Sequence, residues 1–307
     1  MRVPGDLEIA RQLPPAGSSL EAAEQYTRLL ATHHYENFTI ATWLLPRSLR
    51  QDFYNVYAYC RWADDLADEI PDSQAALEAL DWWQDELQQC YAGHASHPVF
   101  IALRKTVGRF DIPIDPFRDL IAAFRQDQTV HRYPTWDSLL EYCRYSANPV
   151  GQLVLHLFGY RDPERHALSG HTCTALQLAN FWQDVSRDLD KGRIYIPLDL
   201  LDASGLTEPD LFERQSDGRY TQLMRGLVER TRELFRLGLP LAPSVAKGFR
   251  VDIELFSRGG LAVLDAIESA GYNTLTTRPT LTRAAKFKLA GRAFSAHLLS
   301  KVTTNGR

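Results

Sequence analysis

The sequence lacks the features that mark secreted, membrane-spanning and disulfide-bonded proteins. The N-terminal stretch MRVPGDLEIARQLPP contains no apolar core of the kind found in signal peptides. No apolar run approaches the roughly 18 residues of a membrane-spanning helix. The four cysteines lie far apart and form no C-x-x-C pair. We therefore expect reduced cysteines in a cytoplasmic protein that is at most peripheral to a membrane.

Two common catalytic signatures and clustered basic charge are also missing. No G-x-G-x-x-G follows a strand-like segment, so we expect no Rossmann-type nicotinamide site. No G-x-S-x-G sequence is present to form a nucleophile elbow. The net charge is −4 and the basic residues are scattered along the chain, which argues against nucleic acid as a partner.

Helical periodicity dominates what the chain does contain. Apolar residues recur at intervals of three and four, whereas alternating strand patterns with hairpin turns are missing. The predicted helices are 20–34, 36–45, 49–69, 74–92, 98–109, 115–128, 136–158, 164–190, 218–238, 249–271 and 280–300, with N-caps predicted at Ser73 and Thr135. The chain has 307 residues, 45% of them hydrophobic, and no Gly/Ser linker. This predicts one all-α domain over 1–307, with 1–19 as a loosely ordered N-terminal segment.

The segment CRWADDLADE carries four acidic residues on a predicted helix. Asp64 and Asp68 are four residues apart and share one helix face, and Asp65 and Glu69 form a second such pair. Like charges at this spacing repel each other. The cluster is therefore either a solvated surface or a site for a hard cation such as Mg²⁺, which prefers oxygen ligands and substrate phosphates.

The later segment NFWQDVSRDLD favours the cation site. Asp184 and Asp188 repeat the four-residue spacing, and Asn180 lies one turn before them on the same face. Lys191 and Arg193 follow in KGRIYIP and would add positive charge for a phosphate. We expect the two acidic helices to face each other across a cavity and to hold metal ions that bind a diphosphate.

Three segments resemble the signatures of the squalene/phytoene synthase family. They are NVYAYCRWADDLADE, EYCRYSANPVGQLVLHLFGY and QLANFWQDVSRDLDKGRIYIP, in the order and spacing of that family. The likeness runs from about His34 to about Leu299. It implies the terpenoid (isoprenoid) synthase fold, a single-domain helical bundle around a central cavity. It also implies chemistry on prenyl diphosphates with Mg²⁺, or Mn²⁺ in its place, and no nicotinamide.

The resemblance and the spacing together assign roles to individual residues. The predicted metal ligands are Asp64, Asp68, Asn180, Asp184 and Asp188. The predicted catalytic residues are the four aspartates of this set with Arg61, Tyr57, Tyr142 and Asn148. The predicted substrate contacts are His34, Asn37, Phe38, Gln177, Asn180, Phe181 and Arg193.

Departures from the family pattern indicate a branch within it. Gln183 stands where the family usually has an arginine, and Arg187 stands where it usually has an acid. The Ser-Ala-Asn-Pro sequence beginning at Ser146 stands where small apolar residues are usual. These segments look like the bacterial hydroxysqualene synthases of hopanoid pathways, which are lyases. The resemblance implies conversion of presqualene diphosphate and water to hydroxysqualene and diphosphate.

The polar Ser-Ala-Asn-Pro segment permits two interpretations. A carbocation that is quenched by water needs a positioned water molecule, and Ser146 or Asn148 could hold it by a hydrogen bond. The structural alternative is that Asn148 satisfies backbone groups freed by a helix break, because the residue before Pro149 avoids the α region.

Two other function classes stay open at this stage. One is a condensing prenyl transferase that makes presqualene diphosphate, squalene or phytoene from two prenyl diphosphates. The other is a non-catalytic interaction protein, which the presence of all four motif aspartates disfavours. The favoured class implies functional coupling to a presqualene diphosphate synthase and a hydroxysqualene dehydroxylase. The weakly basic predicted helix at 280–300 is the candidate for contact with a membrane surface.

Overall fold

The computed structural model describes residues 13–33 and 45–281. These ranges hold thirteen helices and no β-strand beyond a single bridge between Arg132 and Ile194. The all-α prediction is therefore confirmed. The helices are α1 Leu20–His33, α2 Arg50–Asp68, α3 Ser73–Tyr91, α4 Pro98–Phe110, α5 Asp115–Asp127, α6 Trp136–Ser146, α7 Asn148–Leu157, α8 Pro163–Asp190, α9 Leu198–Ala203, α10 Glu208–Phe212, α11 Gly218–Gly238, α12 Leu241–Ser244 and α13 Lys247–Ser269.

One of the two predicted N-caps is confirmed. Thr135 caps α6 in a reciprocal capping box, in which its hydroxyl accepts from the Ser138 backbone N–H at 3.2 Å. The prediction at Ser73 was wrong by one residue, because the Asp72 carboxylate accepts from the Ala75 N–H at 2.8 Å. Aspartate and serine cap helices about equally well, so their order in the sequence could not decide between them.

The predicted continuous helix over 136–158 was also wrong, because the chain breaks into α6 and α7 at Ala147. The Ala147 N–H still donates to the Cys143 carbonyl at 2.9 Å and closes α6. Pro149 has no N–H to donate to the carbonyl four residues earlier, which interrupts the hydrogen-bond ladder and accounts for the break. The apolar periodicity simply continues through the interruption.

Contacts divide the described residues into two compact units, so the single domain over 1–307 stays a prediction. The first unit comprises 13–33, 45–129 and 152–161. Its core contains a stack of Trp62 on Trp83, with ring centroids 5.4 Å apart and planes at 15°. The Trp62 indole N–H donates to the Tyr26 hydroxyl at 2.9 Å. These contacts fix α2, which carries the first acidic motif.

The second unit comprises 130–151 and 162–281, with α8 packed against α6, α11, α12 and α13. The Trp182 indole N–H of α8 donates to the Thr231 hydroxyl of α11 at 2.8 Å. Gly260 lets α13 approach closely, since a Cβ there would lie 2.3 Å from Phe235 Cζ. The long α8 helix is therefore held on several sides, which sets the direction of its acidic face.

None of the described helices combines the length and apolarity needed to cross a membrane. The weakly basic helix predicted at 280–300 falls outside the described residues from position 282 onward. Contact with a membrane surface therefore stays a prediction.

Candidate active site

The first acidic motif lies at the C-terminal end of α2. Asp64 is half-exposed and Asp68, the last residue of the helix, is exposed. The last turn of α2 contains no basic residue. A helix C-terminus carries partial negative charge, so acids gathered there are unfavourable without a cation.

Arg61 lies one turn before this motif and contacts three acids. Its guanidinium forms a close ion pair with Asp65 and lies 3.6 Å from Asp64 and 3.5 Å from Glu69. Asp65 is buried, and burial raises the pKa of its carboxyl to about 7, with Arg61 opposing the rise. Tyr57 lies one further turn back and is half-buried. Arg61 thus fixes the orientation of the acids in its own helix.

The second motif lies in the C-terminal part of α8. Asn180 is exposed, whereas Asp184 and Asp188 are half-buried. Gln177, half-buried as well, is one turn before Asn180 and Phe181. The polar side chains therefore follow one stripe of the helix, as the four-residue spacing predicts.

Asp184 is bound by an arginine that sequence analysis did not identify. Arg278, in the segment after α13, directs its Nε and Nη2 groups at the Asp184 carboxylate, and the Nη2–Oδ2 distance is 3.0 Å. Arg187 of the same helix approaches Asp184 only to 3.8 Å. The Arg278 pair spans 94 residues of sequence, and no local pattern signals it.

A small pocket lies beside Asp188 in the second unit. Its walls are formed by Phe181, Val185, Asp188, Leu189, Arg193, Ile194, Tyr195, Ile196 and Leu211. Burial raises the pKa of Asp188 to about 7, and the negative charge of Asp184 adds to the rise while Arg193 opposes it. The predicted residues Phe181, Asp188 and Arg193 therefore share one concave surface.

Four aromatic side chains pack together, and two of them, Phe181 and Tyr195, line this pocket. Phe181 stacks in parallel on Tyr195 with ring centroids 3.7 Å apart, and Tyr142 stacks on Phe181 at 6.1 Å. Tyr133 joins the cluster at 5.2 Å from Tyr142. Sequence analysis named Tyr142 and Phe181 but missed the other two. A signal was present for Tyr195, which stands between two apolar residues in the segment that supplies Arg193.

The break between α6 and α7 places two polar side chains in different environments. Asn148 is half-buried, and its Oδ1 accepts a hydrogen bond of 2.9 Å from the Thr174 hydroxyl of α8. The Ser146 hydroxyl oxygen is buried and has no hydrogen-bond partner among the described residues. The oxygen of Asn148 is thus engaged in structure, whereas Ser146 presents an unmatched group one turn after Tyr142.

The remaining predicted substrate contacts lie outside the described residues. These are His34, Asn37 and Phe38. Their roles, like that of the predicted N-terminal segment 1–19, stay predictions.

The donor chemistry of both motifs fits Mg²⁺. Each motif offers two carboxylates one turn apart, and Mg²⁺ commonly uses one or two protein carboxylates together with waters and substrate phosphates. Within 13–33 and 45–281, no three or more acidic, histidine or cysteine side chains gather into a metal-binding group.

Comparison with known proteins identifies relatives over most of the chain. A family model of squalene/phytoene synthases matches residues 31–285. A hydroxysqualene synthase from Rhodopseudomonas palustris is 34% identical, covering 84% of this chain and 85% of its own. A phytoene synthase from Arthrospira platensis is 33% identical, covering 82% of this chain and 85% of its own.

Solved structures confirm the predicted isoprenoid synthase fold. Squalene synthase HpnC from Alicyclobacillus acidocaldarius aligns with a TM-score of 0.80 and 43% identity, over 83% of this chain and 96% of its own. A dehydrosqualene synthase solved with a ligand aligns with a TM-score of 0.81 and 25% identity, over 90% of this chain and 96% of its own.

Proposed function

Because the chain belongs to the squalene/phytoene synthase family, whose enzymes act on prenyl diphosphates, we propose that it is a hydroxysqualene synthase. In the proposed reaction the C–O bond of presqualene diphosphate breaks and both electrons leave with the diphosphate. The carbocation rearranges and opens its cyclopropane ring. The oxygen of a water molecule then bonds to the cationic carbon and loses a proton to the departing diphosphate, which gives hydroxysqualene.

The acidic residues of both motifs would hold the metal ions in this proposal. Bound Mg²⁺ would supply charge neutralisation of the diphosphate leaving group. The proposed ligands are Asp64, Asp68, Asn180, Asp184 and Asp188. Arg193 lines the pocket beside Asp188 and would donate charge-assisted hydrogen bonds to phosphate oxygens. Arg61 is engaged by three carboxylates, so we assign it the task of orienting Asp64.

The aromatic cluster would shield the carbocation from bulk water. Tyr142, Phe181 and Tyr195 stack on one another and together form an aromatic wall. A site walled by these rings and by apolar side chains also limits access by solvent. We propose that this surface contacts the hydrocarbon part of the substrate.

The observation that carries the proposal of a water quench is the Ser146 hydroxyl. A buried hydroxyl without a partner costs about 1–3 kcal/mol, and helical serine commonly avoids this cost by bonding to the carbonyl four residues earlier. Ser146 makes no such bond. A bound water would satisfy the hydroxyl on the same helix face as Tyr142, beside the proposed cation site.

Condensation of two prenyl diphosphates is the second candidate. The similarity of this chain to a phytoene synthase, at 33% identity, is nearly the same as its similarity to a hydroxysqualene synthase, at 34%. Relatedness therefore supports both activities equally. The two differ in substrate, since condensation begins from farnesyl or geranylgeranyl diphosphate.

A product assay separates the two candidates. The purified protein is incubated with Mg²⁺ and no nicotinamide, with presqualene diphosphate in one tube and farnesyl diphosphate in another. We expect hydroxysqualene from the first and no product from the second. Presqualene diphosphate or a larger hydrocarbon from farnesyl diphosphate would contradict the proposal. The expected result would place the enzyme between a presqualene diphosphate synthase and a hydroxysqualene dehydroxylase.

A further inference from the structure

Gln183 holds the segment that follows α13 by both ends of its amide. Its Oε1 accepts from Arg278 Nη2 at 3.0 Å, and its Nε2 donates to the Pro279 carbonyl at 2.6 Å. Gln183 is only 6% exposed, so both hydrogen bonds are shielded from water. Gln183, which departs from the family pattern, therefore fixes the Arg278 guanidinium beside the second motif.

The guanidinium held in this way neutralises Asp184. Arg278 presents two N–H donors to the two oxygens of the Asp184 carboxylate. The Arg278 side chain is 29% exposed and the Asp184 side chain is 14% exposed. Paired donors of this kind form the stronger class of ion pair, because the planar fork matches the carboxylate. Asp184 is thus already compensated by a charge from the protein itself.

Further hydrogen bonds attach the segment that carries Arg278 to α8 and α11. The Ser186 N–H of α8 donates to the Thr274 carbonyl at 3.1 Å. The Thr274 hydroxyl is fully buried and lies 2.7 Å from the Tyr220 hydroxyl of α11. Gln183 and Ser186 on α8 and Tyr220 on α11 therefore hold residues 274–279 in place. Arg187, in contrast, is 65% exposed and lies 3.8 Å from Asp184.

We propose that Arg278 is an internal counter-cation that occupies Asp184 until a divalent metal ion displaces it. The inference rests on the metal role of Asp184 in the proposed function. A guanidinium and a divalent cation compete for the charge of one carboxylate. The ion pair between Arg278 and Asp184 therefore lowers the affinity of Asp184 for a metal ion. Metal binding at Asp184 then releases Arg278 and removes one of the contacts that hold residues 274–279 against α8. Arg278 is a positioning residue in this scheme.

Binding of Mn²⁺ alone tests the competition without measuring turnover. Free Mn²⁺ is quantified by electron paramagnetic resonance in titrations of the wild type, Arg278→Gln, Arg187→Gln and Asp184→Asn. We expect Arg278→Gln to bind Mn²⁺ about tenfold more tightly, because it removes a charge-assisted pair. Arg187→Gln is the matched control. It removes the same charge from an exposed position and should change affinity by about twofold or less.

The outcomes distinguish this inference from the proposed function. Unchanged or weaker Mn²⁺ binding in Arg278→Gln, with binding lost in Asp184→Asn, would overturn the role of Arg278 alone. Full Mn²⁺ binding in Asp184→Asn would overturn the metal role of Asp184 in the proposed function.

A second measurement needs no variant at Arg278, in case that substitution unfolds the protein. Hydrogen exchange of the wild type is compared with and without Mn²⁺. We expect Mn²⁺ to speed exchange in residues 274–279 in the wild type and to leave it unchanged in Asp184→Asn. Equal exchange with and without Mn²⁺ in the wild type would overturn the displacement.

Discussion

The Thr174 hydroxyl of α8 donates a hydrogen bond of 2.9 Å to the Asn148 side-chain oxygen at the start of α7. This bond ties the start of α7 to α8 and gives the side-chain oxygen of Asn148 a structural partner. The neighbouring Ser146 hydroxyl keeps its hydrogen-bonding capacity. The two polar residues of the segment therefore have separable tasks.

Ser146→Ala should lower the fraction of hydroxysqualene among the products, because it removes the group proposed to hold the quenching water. Ser146→Ala removes a hydroxyl whose proposed partner is a water molecule, so the free energy of unfolding should change by less than about 1 kcal/mol. Asn148→Ala is the comparison, and it should destabilise the protein by about 1 kcal/mol through the lost Thr174 bond. Product analysis and urea unfolding provide the two readouts. An unchanged yield and product ratio in both variants would exclude water positioning by this segment.

Asp64→Asn and Asp184→Asn should each abolish turnover while the protein stays folded. Each substitution removes a charge proposed to hold metal ions on the diphosphate. Circular dichroism and steady-state rates provide the test. Asp190→Asn is a control on α8, since Asp190 is exposed and pairs with Arg214; it should retain wild-type turnover. Wild-type rates in both motif variants would contradict the metal role.

Two adjacent glycines of α13 should respond to alanine in opposite directions. A Cβ at Gly260 would lie 2.3 Å from Phe235 Cζ and 2.8 Å from Leu176 Cδ2, so Gly260→Ala should cost about 1–3 kcal/mol. A Cβ at Gly259 meets nothing within 4 Å, so Gly259→Ala should stabilise the helix by up to about 1 kcal/mol. Chemical denaturation of both variants measures the difference. Equal effects would show that α13 does not pack closely against its neighbours.

Asp252 should make the protein less stable as pH rises through the weakly acidic range. Its carboxylate oxygens are buried without hydrogen-bond partners in the described part of the chain, and burial raises its pKa to about 7. An unfolded aspartate titrates near 3.9. Between these values the folded state binds a proton that the unfolded state has released. The free energy of unfolding should therefore fall by up to about 1.4 kcal/mol per pH unit.

The variant Asp252→Asn removes this titration and isolates its contribution. Its stability relative to the wild type should grow from about pH 4 to about pH 7 and then level off. Urea unfolding across that range provides the measurement. Parallel stability curves for the two proteins would show that Asp252 is ionised in the folded state.

The sequence predicted the long helices and the acidic motifs because both depend on local spacing. It did not predict α9, α10 and α12, since helices of four to six residues are too short to display a period. The break at Ala147 was missed because the apolar pattern runs through it. Pro149 was the local signal of this break, because proline lacks the N–H that a continuous helix requires and often marks a helix boundary.

The contacts that complete the candidate site depend on tertiary packing and so escaped prediction. Arg278 reaches Asp184 across 94 residues, and the sequence around Arg278 carries no motif of its own. Gln183 was recognised as a departure from the family pattern, but its partners could be identified only from the fold. The stack of Phe181 on Tyr195 likewise requires the chain to turn back after α8.

The origin of the oxygen atom in the product tests the proposed function most directly. The protein is incubated with presqualene diphosphate and Mg²⁺ in ¹⁸O-labelled water, and the product is analysed by mass spectrometry. The proposal predicts hydroxysqualene whose hydroxyl carries the heavy isotope, because water quenches the carbocation. Unlabelled alcohol, or the absence of any alcohol product, would contradict it.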